Sequence, residues 1–508
     1  MESTTDKQTI LLINPHYHNH WNYGVDRTSF PINVLSLGSV LKQAGFNPII
    51  IDTCVDQNYL EIIDTHLPKT LLVGISAMTP QVPHALSIAR RIREKSPDTP
   101  IVWGGVHPTL YPDTCLHPCC DAVAVGEADE TVVELAEALR SSPEIPLLPG
   151  LVLNRDGKAV SGPTRSLPDV RRLPWPDYSL IDPEKYICSW SLQEMRMVRV
   201  MPILSARGCP WHCTFCINTT LNDTHRHRTR PAEDLLDEIE GLVQKYDLEM
   251  IIFSDEEFFA DRHRVEALLD GIEKRGLNKI RFNATCRINH FRKGYIDTAF
   301  LKRLKQAGFV NLVFGFESGS PRCLEIIRKE IRVEEGLYTA RLLASEGFMA
   351  VWGFIMGIPG ETPADLIKTL HVMNKIRKLG TGNYFIGPQI FRPYPGSVLY
   401  RKALEAGLTE PGSLDEWASQ TFTGEGWIGV EGLKWIPPDH RQLVEYVNTI
   451  APVFYNRQFI TASGLKRLYH SFLRLMFSLR LATDIYTFPF EHRLKNLFVG
   501  RHQTESGG

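Results

Sequence analysis

The 508-residue chain has no excess of charge in either sign, with 56 lysines and arginines against 58 aspartates and glutamates. This balance offers no support for nucleic acid as a partner. The chain also lacks any run of about 18 apolar residues, which argues against a membrane span. Its N-terminal stretch, Met1 to Thr9, is polar and has no apolar signal core, so a cytoplasmic location is expected. Internal repeats and low-complexity tracts are missing too, apart from a Gly-Ser tail. What remains is 43% hydrophobic and 22% charged, the composition of a soluble globular protein long enough for about three units.

Ten cysteines without a signal sequence point to reduced thiols, and three of them are grouped. In Ser205-Ala206-Arg207-Gly208-Cys209-Pro210-Trp211-His212-Cys213-Thr214-Phe215-Cys216 they fall at the spacing C-x3-C-x2-C. Three thiolates leave a tetrahedral zinc site one ligand short, whereas a cubane iron-sulfur cluster held by three cysteines keeps one iron open for a small molecule. Cys115, Cys119 and Cys120 form a looser group that reads either as a second metal site or, more simply, as small buried or loop thiols.

Residues 8 to about 140 alternate β-branched runs with helical patterns. Strands are expected at Thr9 to Ile13, Asn47 to Asp52, Leu71 to Ser76, Ile101 to Gly104 and Ala122 to Val125, with helices at Val34 to Ala44, Val82 to Lys95 and Glu130 to Arg140. This is the rhythm of a doubly wound parallel sheet, whose ligands lie beyond the carboxyl ends of the strands. Those ends carry Asn14-Pro15-His16, Ser76-Ala77-Met78-Thr79, Gly104-Gly105-Val106-His107-Pro108 and Gly126-Glu127. Seven prolines between Pro143 and Pro176 then suggest an extended connector.

From Met201 the pattern becomes strand, loop, long helix. Six strands are expected, at Met201 to Ser205, Met250 to Ser254, Ile280 to Thr285, Leu312 to Phe316, Ala350 to Met356 and Tyr384 to Phe391, which suits a partial (β/α) barrel. Their carboxyl ends carry Asp255-Glu256-Glu257, Arg287, Gly315-Phe316-Glu317-Ser318-Gly319 and Gly357-Ile358-Pro359-Gly360-Glu361-Thr362. A small molecule bound there would meet carboxylates, a cation and glycines. Each feature taken singly also reads as a turn or a solvated face. Beyond residue 402, Leu465, Leu468, Tyr469, Phe472, Leu475, Met476 and Leu479 recur at helical spacing among Arg467, Arg474 and Arg480. Such a helix either packs on its own protein or lies on a membrane surface.

The cysteine stretch and the strand ends resemble the radical S-adenosylmethionine (SAM) enzymes, in particular the branch with a cobalamin-binding domain. Gly104, Gly105 and His107 match its Gly-Gly-x-His turn, Gly126 and Glu127 its Val-Gly-Glu turn, and Leu173-Pro174-Trp175-Pro176-Asp177-Tyr178 its segment leading into the barrel. The Pro395-Gly396-Ser397 turn is similar as well. The base-off signature Asp-x-His-x-x-Gly is not intact, since the equivalent loop reads Asn14-Pro15-His16-Tyr17-His18-Asn19. His16 is thus open to two readings, as a cobalt ligand from below or as a surface histidine, and His18 and His20 are weaker candidates.

The resemblance implies four segments: a flavodoxin-like cobalamin-binding domain over 1–145, a connector over 146–195, a partial (β/α)6 radical SAM barrel over 196–401 and a mostly helical region over 402–508. It implies a 4Fe-4S cluster on Cys209, Cys213 and Cys216, with Arg207 and amides after Gly208 near its sulfurs. It places SAM against Arg287, Glu317, Gly357 and Gly360, with Asp255 and Glu256 near its amino group or the substrate. Cobalamin would lie against Ser76, Thr79, Gly104, Gly105, His107, Gly126 and Glu127. The implied activity is radical cleavage of SAM and methylation of an unactivated carbon of a natural-product or lipid-type substrate, with electrons from a donor such as flavodoxin or ferredoxin. Oxidative ring closure or another non-methylating radical reaction is the alternative within the class, and a cobalamin-responsive binding or regulatory protein with structural zinc the alternative outside it. No catalytic side chain is singled out.

Overall fold

The run Thr9–Asn14 forms β1, and its apolar residues Ile10 to Ile13 are all buried, as in a strand covered on both faces. The fold is that of a computed structural model, which describes residues 8–16, 30–191, 196–221, 226–420, 432–456, 464–487 and 491. The chain forms two units. The first comprises Met1–Pro210, Ile217–Ile252 and Thr409–Trp427, and the second Trp211–Cys216, Phe253–Leu408 and Ile428–Gly508.

In the first unit β1 is joined by β2 (Asn47–Asp52), β3 (Thr70–Ser76), β4 (Ile101–Gly104) and β5 (Ala122–Ala124), all parallel, in the order β2-β1-β3-β4-β5. Helices Ile32–Gln43, Val82–Lys95 and Asp129–Ser141 alternate with them, which is the expected flavodoxin-like order. Beyond β5 the sheet continues through an antiparallel hairpin, β6 (Leu151–Arg155) and β7 (Lys158–Ser161). The proline-rich stretch is therefore not extended throughout. Leu151, Val152 and Leu153 bury against the sheet, and Asp156 and Gly157 both take positive φ, the backbone of a two-residue hairpin turn.

The second sheet runs in the order β16-β15-β14-β13-β12-β9-β8. Its members are β8 (Cys188–Ser191), β9 (Arg196–Ile203), β12 (Met250–Phe253), β13 (Arg281–Thr285), β14 (Phe309–Glu317), β15 (Met349–Met356) and β16 (Asn383–Ile390). A separate two-stranded ribbon pairs β10 (Ala206–Arg207) with β11 (Arg228–Thr229). The strands β13 to β16 are parallel, while β8 pairs antiparallel with β9. The six expected strands are thus β9 and β12 to β16, the half-barrel, and β8 is an added edge.

The C-terminal region is helical over Val398–Glu405, Leu414–Ser419, Pro438–Tyr455 and Gly464–Thr483. The last of these buries Tyr469, Leu473, Phe477 and Leu481 against its own unit, so the expected amphipathic helix does pack on protein. Its other face exposes Leu468 (68%), Leu475 (60%) and Leu479 (52%). Among the described residues no helix is long and apolar enough to cross a membrane.

Candidate active site

In the second unit one chain of contacts links three of the expected site residues. Arg287 follows β13, and its Nη1 donates to Sγ of Cys213 at 3.2 Å. Its guanidinium lies 4.3 Å from the ring centre of Trp211, its Nη2 donates to the Lys329 carbonyl at 2.5 Å, and its Nε donates to Asn289. Lys329 in turn places Nζ 2.9 Å from Oε1 of Glu317. Glu317 ends β14 at φ +71, a left-handed backbone that a side-chain-bearing residue rarely adopts, and such positions concentrate at functional sites. A Cβ on Gly315 would stand 2.1 Å from the Glu317 carboxylate, so glycine is what lets that carboxylate fold back over its own strand.

The cysteine loop is fixed on either side of its thiols. Gly208 at φ +84 turns the chain into Cys209, a conformation that glycine adopts without a steric penalty. Thr214 is tied to the carbonyls of Ile326 and Ile327 through its hydroxyl and amide, and the Cys216 amide donates to the Cys213 carbonyl. Cys213 is buried and Cys209 and Cys216 are half-buried, with none of the three in a disulfide.

Gly357 and Gly360 follow β15 at φ +75 and +90. The Gly357 amide donates to Oε2 of Glu361 at 2.5 Å, and Gly360 accepts from Arg322. Asp255 is buried after β12, its carboxylate 3.9 Å from Arg264, while Glu256 is exposed. The buried carboxylate next in line is Glu257, which accepts from His290 at 3.1 Å.

In the first unit the ends of β3 and β4 come together. The Ala77 amide donates to the Gly104 carbonyl and the His107 amide to the Ala77 carbonyl. Gly105 has φ +93, and a Cβ there would stand 2.9 Å from the Ala77 backbone, so this crossing admits no side chain. Thr79 Oγ1 lies 3.3 Å from Nδ1 of His107, and Ser76 accepts from Asn33. His107 is fully buried beside Tyr111 and Trp417, and burial pushes its pKa down to about 3. The Gly126 amide donates to Oγ1 of Thr109 at 3.0 Å.

Glu127 is ion-paired. It pairs with Arg207 at 2.8 Å and with Arg228, and Asp129 holds the Arg207 guanidinium at 2.8 and 3.0 Å. The Arg207 side chain is thus bound to carboxylates two residues ahead of Cys209. His16 lies against His84 in a tilted arrangement, ring centres 3.7 Å apart, and donates its amide to Thr53, whereas His18 and His20 lie outside the described residues. Cys115, Cys119 and Cys120 are buried.

Lys329, Asp129 and His84 enter these networks without belonging to any sequence motif. Lys329 sits in Arg328-Lys329-Glu330, which reads as a solvated charge cluster. Arg328 and Glu330 both take positive φ and turn the lysine inward, a reversal that no local pattern announces.

The donors fit the groups implied by the resemblance. Three cysteines outside any disulfide, one of them accepting from a guanidinium, suit thiolate ligands. Among the described residues no three His, Cys, Asp or Glu side chains surround a single ion. The side-chain-free crossing at Gly105 and the buried His107 Nε2, which has no hydrogen-bond partner, suit a large polar ligand over the first sheet.

Comparison with known proteins agrees. Residues 203–373 match the radical SAM superfamily and residues 25–136 the B12 binding domain. The chain is 29% identical to an uncharacterized methyltransferase, PH0819, of Pyrococcus horikoshii over 78% of this chain and 84% of that one. It is 27% identical to the anaerobic magnesium-protoporphyrin IX monomethyl ester cyclase of Rubrivivax gelatinosus over 77% and 69%. Among solved structures it shares its fold with the cobalamin-dependent SAM radical enzyme OxsB (TM-score 0.71, 16% identity, 97% of this chain and 75% of that one). It shares it also with the radical SAM methyltransferase TsrM of Kitasatospora setae (TM-score 0.63, 20% identity, 80% and 76%). The cofactors are a 4Fe-4S cluster, SAM and cobalamin, and the reading as a binding protein with structural zinc is replaced. With both domains present and in this order, the chain belongs to the radical SAM enzymes that carry an N-terminal cobalamin-binding domain.

Proposed function

We propose that the chain activates a C–H bond of a small organic substrate and methylates the carbon. The observation that carries this is the contact of Arg287 with Cys213, which joins a predicted SAM contact to a predicted cluster ligand. Bound together, the cluster and SAM supply a hydrogen-abstracting radical and cobalamin a transferable methyl group. The protein's part is to hold and exclude. Cys209, Cys213 and Cys216 hold the cluster, Arg287 orients the SAM carboxylate, Glu317 the ribose hydroxyls, and Gly357 and Gly360 leave backbone open to the adenine. In the Asp255–Glu257 segment Asp255 is buried and Glu256 exposed, which favours Asp255 as the carboxylate facing the ligand. Ser76, Thr79, Gly104, Gly105, His107 and Gly126 form the cobalamin side. Glu127 contributes there by fixing Arg207 rather than by direct contact.

Methyl transfer is favoured by the similarity to a methyltransferase over more than three quarters of both chains. Ring closure is the second reading, favoured by the cyclase similarity. Feeding methyl-deuterated methionine to cells with and without the gene separates them. An additional metabolite carrying the intact deuterated methyl supports methylation, and one without it supports cyclisation. Flavodoxin or ferredoxin in the cytoplasm would supply the electrons. The exposed leucines of Gly464–Thr483, a helix without a carboxylate on which Arg467 is exposed, would allow peripheral contact with an anionic membrane.

A further inference from the structure

The turn after β15 is held from the far end of the chain. Gly357 has both of its backbone polar groups taken by side chains. Its amide donates to Glu361 Oε2 at 2.5 Å, and its carbonyl accepts from Nε1 of Trp435 at 2.6 Å. Leu433 closes the remaining side, since a Cβ on Gly357 would lie 3.1 Å from a Leu433 methyl carbon. Trp435 also packs edge-on against Phe391, with ring centres 5.9 Å apart, and Phe391 donates its amide to Met356 immediately before the turn.

Beneath the turn lies a buried acid-imidazole contact. Oε2 of Glu361 is 3.4 Å from Nε2 of His440, which is fully buried at the start of helix Pro438–Tyr455. Glu361 Oε1 is buried with no hydrogen-bond partner, and burial raises the carboxyl's pKa. Buried groups left short of partners are rare enough to need a reason. Here the reason is that the carboxylate is committed to the Gly357 amide. The helix carrying His440 backs it against the turn.

We propose that Trp435 and His440 are positioning residues for SAM, acting through Gly357 and Glu361 to fix the turn in the shape that receives the adenine. This rests on the reading of Gly357 and Gly360 as the adenine shelf. It gives the C-terminal region, for which no motif exists, a role in cofactor affinity. The indole N–H holds the Gly357 carbonyl away from the ligand side. The His440-backed carboxylate holds the amide. A turn with its polar groups so occupied has little conformational freedom left to lose when SAM binds.

The test uses the reconstituted full chain and two readouts. In Trp435→Phe the ring stays and the N–H is lost. SAM affinity by equilibrium dialysis should fall about tenfold, the loss of one well-made hydrogen bond. The KM for SAM in uncoupled cleavage to 5'-deoxyadenosine should rise with it, while kcat, iron content and thermal midpoint stay unchanged. Unaltered SAM affinity in a folded Trp435→Phe would overturn the proposal. The second readout needs no variant: on adding SAM, amide hydrogen exchange should slow in 432–441 together with 357–361. Slowing confined to 357–361 would overturn the proposal while leaving the shelf reading intact, and no slowing in either, with no SAM bound, would overturn both.

Discussion

Arg287 donates to the sulfur of Cys213 at 3.2 Å with its guanidinium 4.3 Å from the ring centre of Trp211, so one guanidinium serves the cysteine loop and the end of β13 at once. A hydrogen bond to a charged partner contributes about 1.5–3 kcal/mol, and the fork of donors on Arg cannot be reproduced by Lys. Arg287→Met should therefore weaken SAM binding at least tenfold and also lower iron and sulfide content after reconstitution. Analysis of both in the same preparation checks this. A loss of SAM binding with full cluster loading would show that the sulfur contact is incidental.

The carboxylates Glu127 and Asp129 grip Arg207 just ahead of Cys209, and Asp129 is only 4% exposed. Removing one partner of such a buried pair strands the other charge, at a cost of about 3 kcal/mol. Arg207→Met should lower the denaturant midpoint accordingly, whereas Glu127→Gln, on a partly exposed carboxylate, should cost about 1 kcal/mol. Equal effects of the two would contradict this ranking.

His107 is neutral when folded because burial holds its pKa near 3, against 6.5 for the ordinary imidazole. The unfolded chain binds a proton below about pH 6.5 that the folded chain refuses. Its contribution is thus complete above that pH and is lost as pH falls, by about 1.4 kcal/mol per unit down to the folded pKa. Denaturant midpoints between pH 7.5 and 5 should decline more steeply for the natural chain than for His107→Asn. Parallel declines would show that this histidine titrates normally.

The two sheets were legible because their strands are continuous apolar runs and their helices keep a 3.6 period. The cysteine spacing and the order of the strand-end turns were equally local signals. What could not be read was set by distant partners. Lys329 looks like surface until left-handed residues on both sides turn it under Glu317, and the ion pairs of Glu127 join it to Arg207 and Arg228, 80 and 101 positions away. The hairpin 151–161 was hidden by the prolines around it, although Asp156-Gly157 is a hairpin turn pair.

The leucines Leu468, Leu475 and Leu479 lie on one exposed face of Gly464–Thr483. Replacing all three with serine should abolish co-sedimentation with anionic phosphatidylglycerol vesicles and leave uncoupled SAM cleavage unchanged. If the unsubstituted protein does not bind such vesicles, membrane contact through this helix is excluded.

The central claim is that Cys209, Cys213 and Cys216 carry a cluster that cleaves SAM. The most direct measurement is formation of 5'-deoxyadenosine by anaerobically reconstituted, reduced protein, comparing the natural chain with Cys213→Ala. The account predicts steady product from the former and none from the latter, with cobalamin still bound to the first unit in both. Cleavage that survives the loss of Cys213, or that never occurs in a natural chain carrying a full cluster, would contradict it.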